Sequence, residues 1–258
     1  MAGSFRKRSA RQPRLPASLE AAWGVRAPAA RGPQPGLSLK RIVSAAVRVA
    51  TANGLDAVSM ARVAKEIDAA TMALYRYVGA KEELLALMVD QAFESAPPPR
   101  SAEEGWRASL TRWARHHRDV LRRYPWVLRI PVSGPPITPN LVVWFERGLG
   151  CLAGTSLTSG EKLSALLLVN GFVRHDAVFN ADIQRGAKTS KATVQDAVRA
   201  YGPLLASLTT ADRFPAIHEV IASGAFAHPG DPDEDFDFGL ERVLDGIAAL
   251  VSVPSSRR

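Results

Sequence analysis

The sequence has a single cysteine, Cys151, among its 258 residues, and it contains no run of roughly 18 apolar residues. One thiol cannot form an intramolecular disulfide, which excludes a disulfide-stapled fold and is typical of a reducing cytoplasm. The basic amino terminus is not followed by the apolar segment of a secretory signal. These absences predict a soluble, cytoplasmic protein that does not cross a membrane.

Motifs that mark common enzyme classes are also missing. The sequence has no glycine-rich phosphate loop, no nucleophile elbow and no cluster of His, Cys and carboxylates at the spacing of metal ligands. The pair His116-His117 comes nearest to a metal site, but adjacent residues on a helix diverge by about 100° and cannot share an ion as an i, i+4 pair does. We therefore expect no catalytic residues, no metal and no cofactor.

Positive charge is concentrated at the amino terminus. Residues 1–40 contain eight Lys and Arg against Glu20, and so account for most of the net charge of +8. This stretch is rich in proline, glycine and alanine, and it has too little apolar surface to offset the entropy of ordering. We predict a flexible basic arm over residues 1–37, which either attracts polyanions by counterion release or only keeps the protein soluble.

From Ser38 onward, apolar residues recur every three or four positions and alternating runs are almost absent, which predicts an all-α protein. Residues 38–95 are expected to form one domain and residues 96–258 a second. The proline-rich segment after residue 123 is expected to be mostly irregular. Caps and breakers place the helices at about residues 38–53, 60–67, 71–77, 81–94, 101–123, 138–154, 159–184, 193–208, 211–223 and 235–253.

Residues 60–77 meet the requirements of a helix-turn-helix motif. Ala64 is a small residue for the closest approach of the two helices, Asp68 tolerates positive φ in the turn, and Leu74 supplies an apolar contact from the second helix. If Leu74 faces inward, helical geometry turns an opposite edge outward. Hydroxyl, guanidinium and apolar groups on that edge suit the DNA major groove, and they belong to Thr71, Met72, Tyr75 and Arg76.

The longer run "LSLKRIVSAAVRVATANGLDAVSMARVAKEIDAATMALYRYVGAKEELLALMVDQAF" resembles the DNA-binding domain of the tetracycline-repressor (TetR) family of bacterial transcription regulators. It has the glycine after the first helix, the serine before the second, the "LYRYV" recognition helix and the "KEELL" start of the fourth. The remainder resembles the carboxy-terminal domain of the tetracycline repressor itself, through "YPWVL", "LVNGFVRHDA" and "FDFGLERVLDGIAAL". Two departures are Asp68 at the turn glycine and Tyr77-Val78 at the common His-Phe pair.

The resemblance implies an amino-terminal three-helix domain that contains the helix-turn-helix and binds an operator in double-stranded DNA. A carboxy-terminal helical domain would form a homodimer and hold a small-molecule effector. At the helix starts, the implied DNA contacts are Ser38, Lys40, Ser59 and Lys81. In the recognition helix, they are Thr71, Met72, Ala73, Tyr75, Arg76 and Tyr77.

For the second domain, the resemblance implies a dimer interface built from helix 159–184 and the last helix, although their apolar stripes suit the core of one chain as well. The last helix carries Phe238, Leu240, Val243, Leu244, Ile247, Leu250 and Val251. The candidate effector-binding residues, some of which are equally suited to plain core packing, are Trp113, Trp144, Asn170, His175, Asp176 and Phe179.

Two charged segments in this domain remain. A solvated face, with an anionic ligand as the alternative, is expected for Arg112, Arg115, Arg118, Arg122 and Arg123. The acidic residues 231–237 are expected to form a loop that leads into a helix amino terminus, where carboxylates suit the helix dipole.

Three functions fit the sequence, and the first is favoured. The first is a ligand-responsive, sequence-specific regulator that binds a palindromic operator as a dimer and is released by a small molecule. The second is a non-specific architectural DNA-binding protein that relies on the basic arm. The third is a helical small-molecule-binding protein or enzyme with a vestigial DNA domain.

Overall fold

The computed structural model describes residues 15–25, 37–132, 134–190, 193–227 and 231–253. In this part of the chain every regular element is a helix, and none of the helices has the length and apolar character needed to cross a membrane. Short 3-10 helices lie at Leu55–Ala57, Pro125–Arg129 and Ala225–Ala227. The α-helices are α1 Ala17–Ala22, α2 Leu39–Asn53, α3 Met60–Glu66, α4 Thr71–Leu74, α5 Lys81–Ala92, α6 Trp106–Arg123, α7 Pro139–Cys151, α8 Ser159–Ser190, α9 Val194–Leu208, α10 Pro215–Ala222 and α11 Pro232–Ser252.

The chain divides into two compact units. Unit 1 comprises Met1–Ser95 and Val132–Val143, and unit 2 comprises Ala96–Pro131 and Trp144–Arg258. The sequence placed the domain boundary at residue 95 but did not predict that residues 132–143 return to the first unit. The prolines in that segment predicted irregular structure and gave no sign that it belongs to unit 1.

Unit 1 is built around α2, which packs against α3 and α5. The helix begins at Ser38, whose hydroxyl accepts the Arg41 N–H at 3.2 Å, and it ends at Gly54, where φ is +83°. Both ends lie where the sequence predicts them, because a side-chain cap and a glycine stop serve the unpaired backbone groups of a helix. Among the large side chains that are fully buried in this unit are Ile42, Val58, Val63, Leu74, Leu84 and Met88.

Residues 15–25 correct the prediction of a flexible arm. They contain α1, which packs against α5 and buries Leu19. The Trp23 indole N–H donates to the Ile137 carbonyl oxygen at 2.8 Å. The buried leucine and this hydrogen bond attach to unit 1 a six-residue helix that composition alone did not indicate. Residues 1–14 and 26–36, the rest of the predicted arm, lie outside the described residues.

In unit 2, α8 packs against α6 and α11. α8 and α11 lie close together at Gly239, where a Cβ atom would lie 2.6 Å from the Phe172 ring. A side chain at this position would require the Phe172 ring to shift, since real Cβ contacts are not this short. The Phe172 and Phe236 rings pack beside this point with centroids 5.4 Å apart.

Two patterns in the sequence, at residues 101–104 and 158–161, predict capping boxes at helix starts, and they have different outcomes. Thr158 and Glu161 cap α8 reciprocally: the Glu161 carboxylate accepts the Thr158 N–H at 2.8 Å, and the Thr158 hydroxyl accepts the Glu161 N–H at 3.3 Å. The box predicted at residues 101–104 is wrong, because α6 begins only at Trp106 and the Glu104 carboxylate binds Arg112 at 2.6 Å instead. Glu104 therefore pairs with Arg112 of α6 and does not cap the backbone of that helix.

Candidate nucleic-acid interface

The helix-turn-helix consists of α3, a four-residue turn and α4. Asp68 has φ +52°, which makes it the one non-glycine with positive φ among the described residues. Around it, the Ala69 N–H donates to the Ala64 carbonyl at 2.9 Å and the Asp68 N–H donates to the Lys65 carbonyl at 3.3 Å. These are the two hydrogen bonds of a Schellman motif, which ends a helix on a left-handed residue. The predicted roles of Ala64, Asp68 and Leu74 are all found, with Ala64 and Leu74 buried.

The segment that begins with α4 presents an exposed edge. Met72 is 75% exposed and Tyr75 is 45% exposed, although both are large and apolar in part. Arg76 is exposed and Thr71 is half-buried. The outward face predicted from Leu74 is therefore present, and it combines a thioether, a phenol and a guanidinium on adjacent turns.

Two predicted groove contacts do not belong to this edge. Ala73 is buried beside Leu74, because a helix of a single turn turns both of these neighbours to the core. Tyr77 is half-buried, and its hydroxyl donates to the Leu37 carbonyl oxygen at 3.1 Å. The predicted DNA contact at Ala73 is wrong, and the Tyr77 hydroxyl fastens the recognition segment to the start of α2.

The predicted phosphate contacts lie at helix starts. Ser38 and Ser59 are exposed N-caps, and the Ser59 hydroxyl accepts the Arg62 N–H at 3.1 Å. Each hydroxyl thereby uses its acceptor on the helix and keeps its O–H as a donor. Lys40 and Lys81 are exposed in the first turns of α2 and α5. Positive helix ends with lysines nearby are suited to anions.

Two further cations in this unit were not predicted from the sequence. Arg62 and Lys65 are exposed on α3, on either side of the buried pair Val63-Ala64. The signal was present, because Val63 and Ala64 mark the buried side of α3 and helical geometry turns residues 62 and 65 away from it. In contrast, Arg41 donates to the Ile67 carbonyl at 3.1 Å and Arg48 lies 3.6 Å from Glu66.

Two of the predicted effector-binding aromatics of unit 2, Trp113 and Trp144, form part of a packed core. Trp113 and Trp144 are buried, their ring centroids are 6.0 Å apart, and the Trp113 indole N–H donates to the Trp144 carbonyl at 3.1 Å. His117 lies against Trp113 with centroids 5.2 Å apart. Burial, with a smaller contribution from the positive charge of Arg174, lowers the pKa of His117 to about 3, so the imidazole is neutral.

The remaining predicted effector-binding residues lie on separate faces of α8. His175 and Phe179 are exposed and stack with centroids 6.4 Å apart. Asp176 is one position further along the helix, is half-buried and binds Arg118. Residues 175 and 179 share a face by i, i+4 spacing and residue 176 does not, so these three candidates do not line one common surface, and their role in effector binding stays a prediction. Asn170 is half-buried.

The arginines of α6 do not form a plain solvated face. Arg118 is nearly sealed, and it bonds the carboxylates of Asp176 at 2.9 Å and Asp233 at 2.7 Å with its guanidinium 4.0 Å from the Phe236 ring centre. Along the same side, Arg122 binds Asp233 at 2.6 Å and Arg115 binds Asp237 at 2.9 Å.

These ion pairs explain the acidic segment. Residues 232–237 are not a loop but the first turns of α11, with Asp231 as the N-cap. The helix therefore begins three residues earlier than predicted, and its carboxylates pair with the arginines of α6. The hydrogen bond from Arg122 is the main cause of a lowered pKa at Asp233.

A cleft of about 370 Å³ lies beside this ion-pair cluster in unit 2. Its apolar wall includes Leu121, Pro125, Leu128, Ala177 and Ala181, and its polar lining is Arg122, Asp176, Asn180 and Gln184. Of the predicted effector-binding residues, Asp176 lines this cleft. Among the described residues, no group of three or more His, Cys, Asp and Glu side chains is arranged to hold a metal ion.

Comparison with protein families assigns both parts of the chain. Residues 42–88 match the family model described as bacterial regulatory proteins, tetR family, and residues 98–251 match the model of the tetracyclin repressor-like C-terminal domain. The chain belongs to the TetR family. It is accordingly a DNA-binding transcriptional regulator, and the helix-turn-helix described above is its DNA-binding element.

Individual relatives agree with this assignment. The chain is 36% identical over 236 residues to the HTH-type transcriptional repressor DrrR1 of Streptomyces coeruleorubidus, and the match spans 91% of this chain and 86% of that protein. Apo ActR of Streptomyces coelicolor is 28% identical, with a TM-score of 0.70 over 84% of this chain and 99% of that one. The complex of ActR with actinorhodin is 27% identical, with a TM-score of 0.69 over 84% and 97% of the two chains.

Proposed function

We propose that the protein is a repressor that binds a palindromic operator as a homodimer and leaves it when a small molecule binds to unit 2. The observation that carries the proposal is the edge formed by Met72, Tyr75 and Arg76. Burying these side chains would stabilise the fold, yet Met72 is 75% exposed. A large apolar side chain held in solvent next to a guanidinium suits a partner surface, and DNA is the partner of this family's helix-turn-helix.

We assign base reading and phosphate contact to different residues. Thr71, Met72, Tyr75 and Arg76 are placed to meet base edges, because they form the exposed edge at α4. Arginine bonds guanine through two donors, and apolar groups meet the thymine methyl. Phosphate contacts, which position the protein, are assigned to Ser38, Lys40, Ser59, Arg62 and Lys81.

Exposed apolar side chains on α8 and α11 support dimer formation through unit 2. Leu163, Leu167 and Leu168 are exposed on α8, and Phe238 and Leu250 are exposed on α11. Large apolar side chains that are exposed at this density mark an interface. A twofold dimer presents two α4 segments about one duplex turn, roughly 34 Å, apart, which matches the half-sites of an inverted repeat.

The cleft beside Asp176 is our candidate for the effector site. It offers an apolar wall, two amide side chains and a paired carboxylate, and this mixture suits a polycyclic or otherwise flat molecule with hydrogen-bonding groups. The similar protein ActR has a structure in complex with actinorhodin. An effector releases DNA only to the extent that it binds the non-DNA conformation more tightly.

Selection of bound duplexes from a random pool tests the proposal. We expect recovery of an inverted repeat bound by two chains, with Tyr75→Ala and Arg76→Ala each weakening binding at least tenfold, since removal of a side chain that bonds a base costs about 1–3 kcal/mol. Arg213→Ala, at an exposed arginine of unit 2, is the matched control and leaves affinity unchanged. Recovery of unrelated sequences with equal affinity would contradict the proposal and favour an architectural role.

A further inference from the structure

We propose that Arg41 and Tyr77 are positioning residues for base reading. Each makes a hydrogen bond between the start of α2 and the helix-turn-helix, one at the end of α3 and one at the end of the recognition segment, residues 71–77. We call these two hydrogen bonds the brace. The inference rests on the proposed base reading by the exposed edge at α4, and it adds residues that control sequence discrimination through the orientation of that edge.

Helix α4 is too short to fix its own orientation. It is a single turn, and Ala70 at its N-cap makes no side-chain hydrogen bond. A helix of this length does not persist by itself in water. Packing of the buried Ala73, Leu74 and Val78 determines which side faces inward, but apolar contacts are not directional and leave the tilt of the exposed edge free to vary. Directional contacts are therefore needed to hold the edge in one orientation.

The first hydrogen bond of the brace is at the end of α3. The Arg41 guanidinium of α2 donates to the Ile67 carbonyl oxygen at 3.1 Å. Ile67 is the C-cap of α3, and it directly precedes Asp68 at φ +52°. The last carbonyls of a helix have no partner within that helix, and a cation suits the negative end of the helix dipole. Arg41 thus fixes the point at which the chain enters the turn.

The second hydrogen bond is at the end of the recognition segment. The hydroxyl of the half-buried Tyr77 donates to the Leu37 carbonyl oxygen at 3.1 Å. Tyr77 directly follows Arg76, and the buried Leu37 directly precedes the N-cap Ser38 of α2. A hydrogen bond weakens steeply when its angle departs from linearity. The Tyr77 hydroxyl therefore restrains the backbone next to the residues proposed to read bases.

Both hydrogen bonds end within residues 37–41, and this stretch also carries two proposed phosphate contacts, Ser38 and Lys40, which are exposed. The brace therefore relates the base-reading edge to the residues that position the protein on the backbone. An arginine that bonds guanine through two donors needs a defined geometry, whereas lysine meets phosphate as a point charge and tolerates displacement. Loss of the brace should reduce sequence discrimination more than it reduces non-specific binding.

The experiment uses variants of the full chain that differ by few atoms. Tyr77→Phe removes only the hydroxyl. Arg41→Met removes the donor and the charge, whereas Arg41→Lys retains the charge and can still donate to a carbonyl. Two matched controls make the same changes elsewhere: Tyr201→Phe at an exposed ring of unit 2, and Arg48→Met on α2, whose guanidinium lies near Glu66.

The measured quantity is the ratio of affinities for the selected inverted repeat and for a scrambled duplex. Both are determined by fluorescence anisotropy on one sample of each variant, from about 50 to 200 mM salt. A smaller folded fraction lowers both affinities equally and cancels from the ratio, so a merely structural role would not change it. The slope of log K against log salt reports the number of phosphates that the protein neutralises.

We expect Tyr77→Phe and Arg41→Met each to lower the ratio at least about fivefold, because a displaced base contact resembles a mismatched base pair in its effect. The decrease should come from the inverted repeat, with little change on the scrambled duplex. Tyr77→Phe should keep the salt slope of the native chain. Arg41→Lys and both controls should retain the native ratio.

An unchanged ratio in Tyr77→Phe would overturn the proposal. An equal decrease on both duplexes, with the folded fraction retained, would overturn it as well and make the hydroxyl a phosphate contact. If Arg41→Lys discriminated as poorly as Arg41→Met, the hydrogen bond to Ile67 would not be what positions the edge. Absence of sequence preference in the native chain would instead refute the proposed function.

Discussion

The carboxylate of Asp90 on α5 caps the amino terminus of α7 by accepting the backbone N–H of Asn140 at 2.8 Å. It also accepts the Leu141 N–H at 3.2 Å, and the Asn140 side-chain amide donates to its second oxygen at 3.0 Å. Asp90 is buried. Helix α7 is thereby capped by a residue about fifty positions away, and the negative charge opposes the positive end of the helix dipole.

Removal of this distant cap should destabilise unit 1. Asp90→Ala leaves two backbone donors without their acceptor and removes one of the two hydrogen bonds of the Asn140 amide, which still donates to the carbonyl of residue 90 at 3.1 Å. Each buried group left unpaired costs about 1–3 kcal/mol. We expect a decrease of about 2–4 kcal/mol in the free energy of unfolding by urea. Asp90→Asn retains one acceptor oxygen and should lose less. A decrease of the same size for both variants would mean that the charge, not the hydrogen bonding, stabilises this helix start.

The buried ion pair between Arg118 of α6 and Asp176 of α8 should contribute far more to stability than an exposed ion pair within α8. The side chains of Arg118 and Asp176 are 6% and 14% exposed, whereas those of Arg185 and Asp182 are 64% and 58% exposed. Breaking a buried pair costs about 3–5 kcal/mol, and breaking an exposed one costs about 0–1 kcal/mol. Because Asp233 still binds Arg118, we expect Asp176→Ala to lower the free energy of unfolding by about 3 kcal/mol, at or just below the lower end of that range.

Arg185→Ala is the matched control for that measurement. Urea unfolding of the two variants, compared with the native chain, should separate them by at least about 2 kcal/mol. If the two substitutions had equal effects, the ion-pair cluster between α6, α8 and α11 would not be a determinant of stability.

His117 should make stability dependent on pH. Its folded-state pKa of about 3 is below the ordinary value of 6.5, so between these values the unfolded chain binds the proton and the folded chain does not. Stability is therefore full above pH 6.5 and declines as pH falls, by about 1.4 kcal/mol per pH unit from this one group. His117→Gln should flatten the decline between pH 6 and 4, measured by urea unfolding at each pH. His175→Gln, at an exposed ring, should leave it unchanged.

Asp68 should tolerate glycine but not a β-branched residue. At φ +52° the left-handed conformation costs a β-branched side chain about 1–2 kcal/mol, and glycine has no Cβ to clash. Asp68→Val is expected to lower the thermal midpoint and, because it displaces α4, to weaken operator binding. Asp68→Gly should retain both properties. An equal decrease in the two variants would point to a role for the carboxylate itself.

The sequence was sufficient to predict the fold where local chemistry decides the structure. Ser38 and Ser59 begin helices and Gly54 ends one, through hydrogen bonds or dihedral angles that span a few residues. Asp68 occupies the left-handed turn position as expected. Leu74 correctly indicated which edge of α4 faces outward. In each case the deciding interaction lies within one or two turns of the residue concerned.

Partners distant in sequence account for the errors. The arginines of α6 and the acidic residues 231–237 each suggested solvent exposure, and only the fold places them opposite each other across more than a hundred positions. The fold likewise brings Ser18 next to Glu83 and Asp90 next to Asn140, and the local sequence does not indicate either contact. The family resemblance assigned Ala73 to DNA as part of the recognition helix, but a one-turn helix buries it beside Leu74.

The central claim is that the exposed edge at α4 reads base sequence, and Arg76 tests it most directly. We would measure the affinity of the native chain and of Arg76→Ala for the selected inverted repeat and for a scrambled duplex in the same salt. The account predicts binding at least tenfold weaker on the repeat, in line with about 1–3 kcal/mol for a side chain that bonds a base, and little change on the scrambled duplex. An equal decrease on both duplexes would make Arg76 a phosphate contact and contradict the claim.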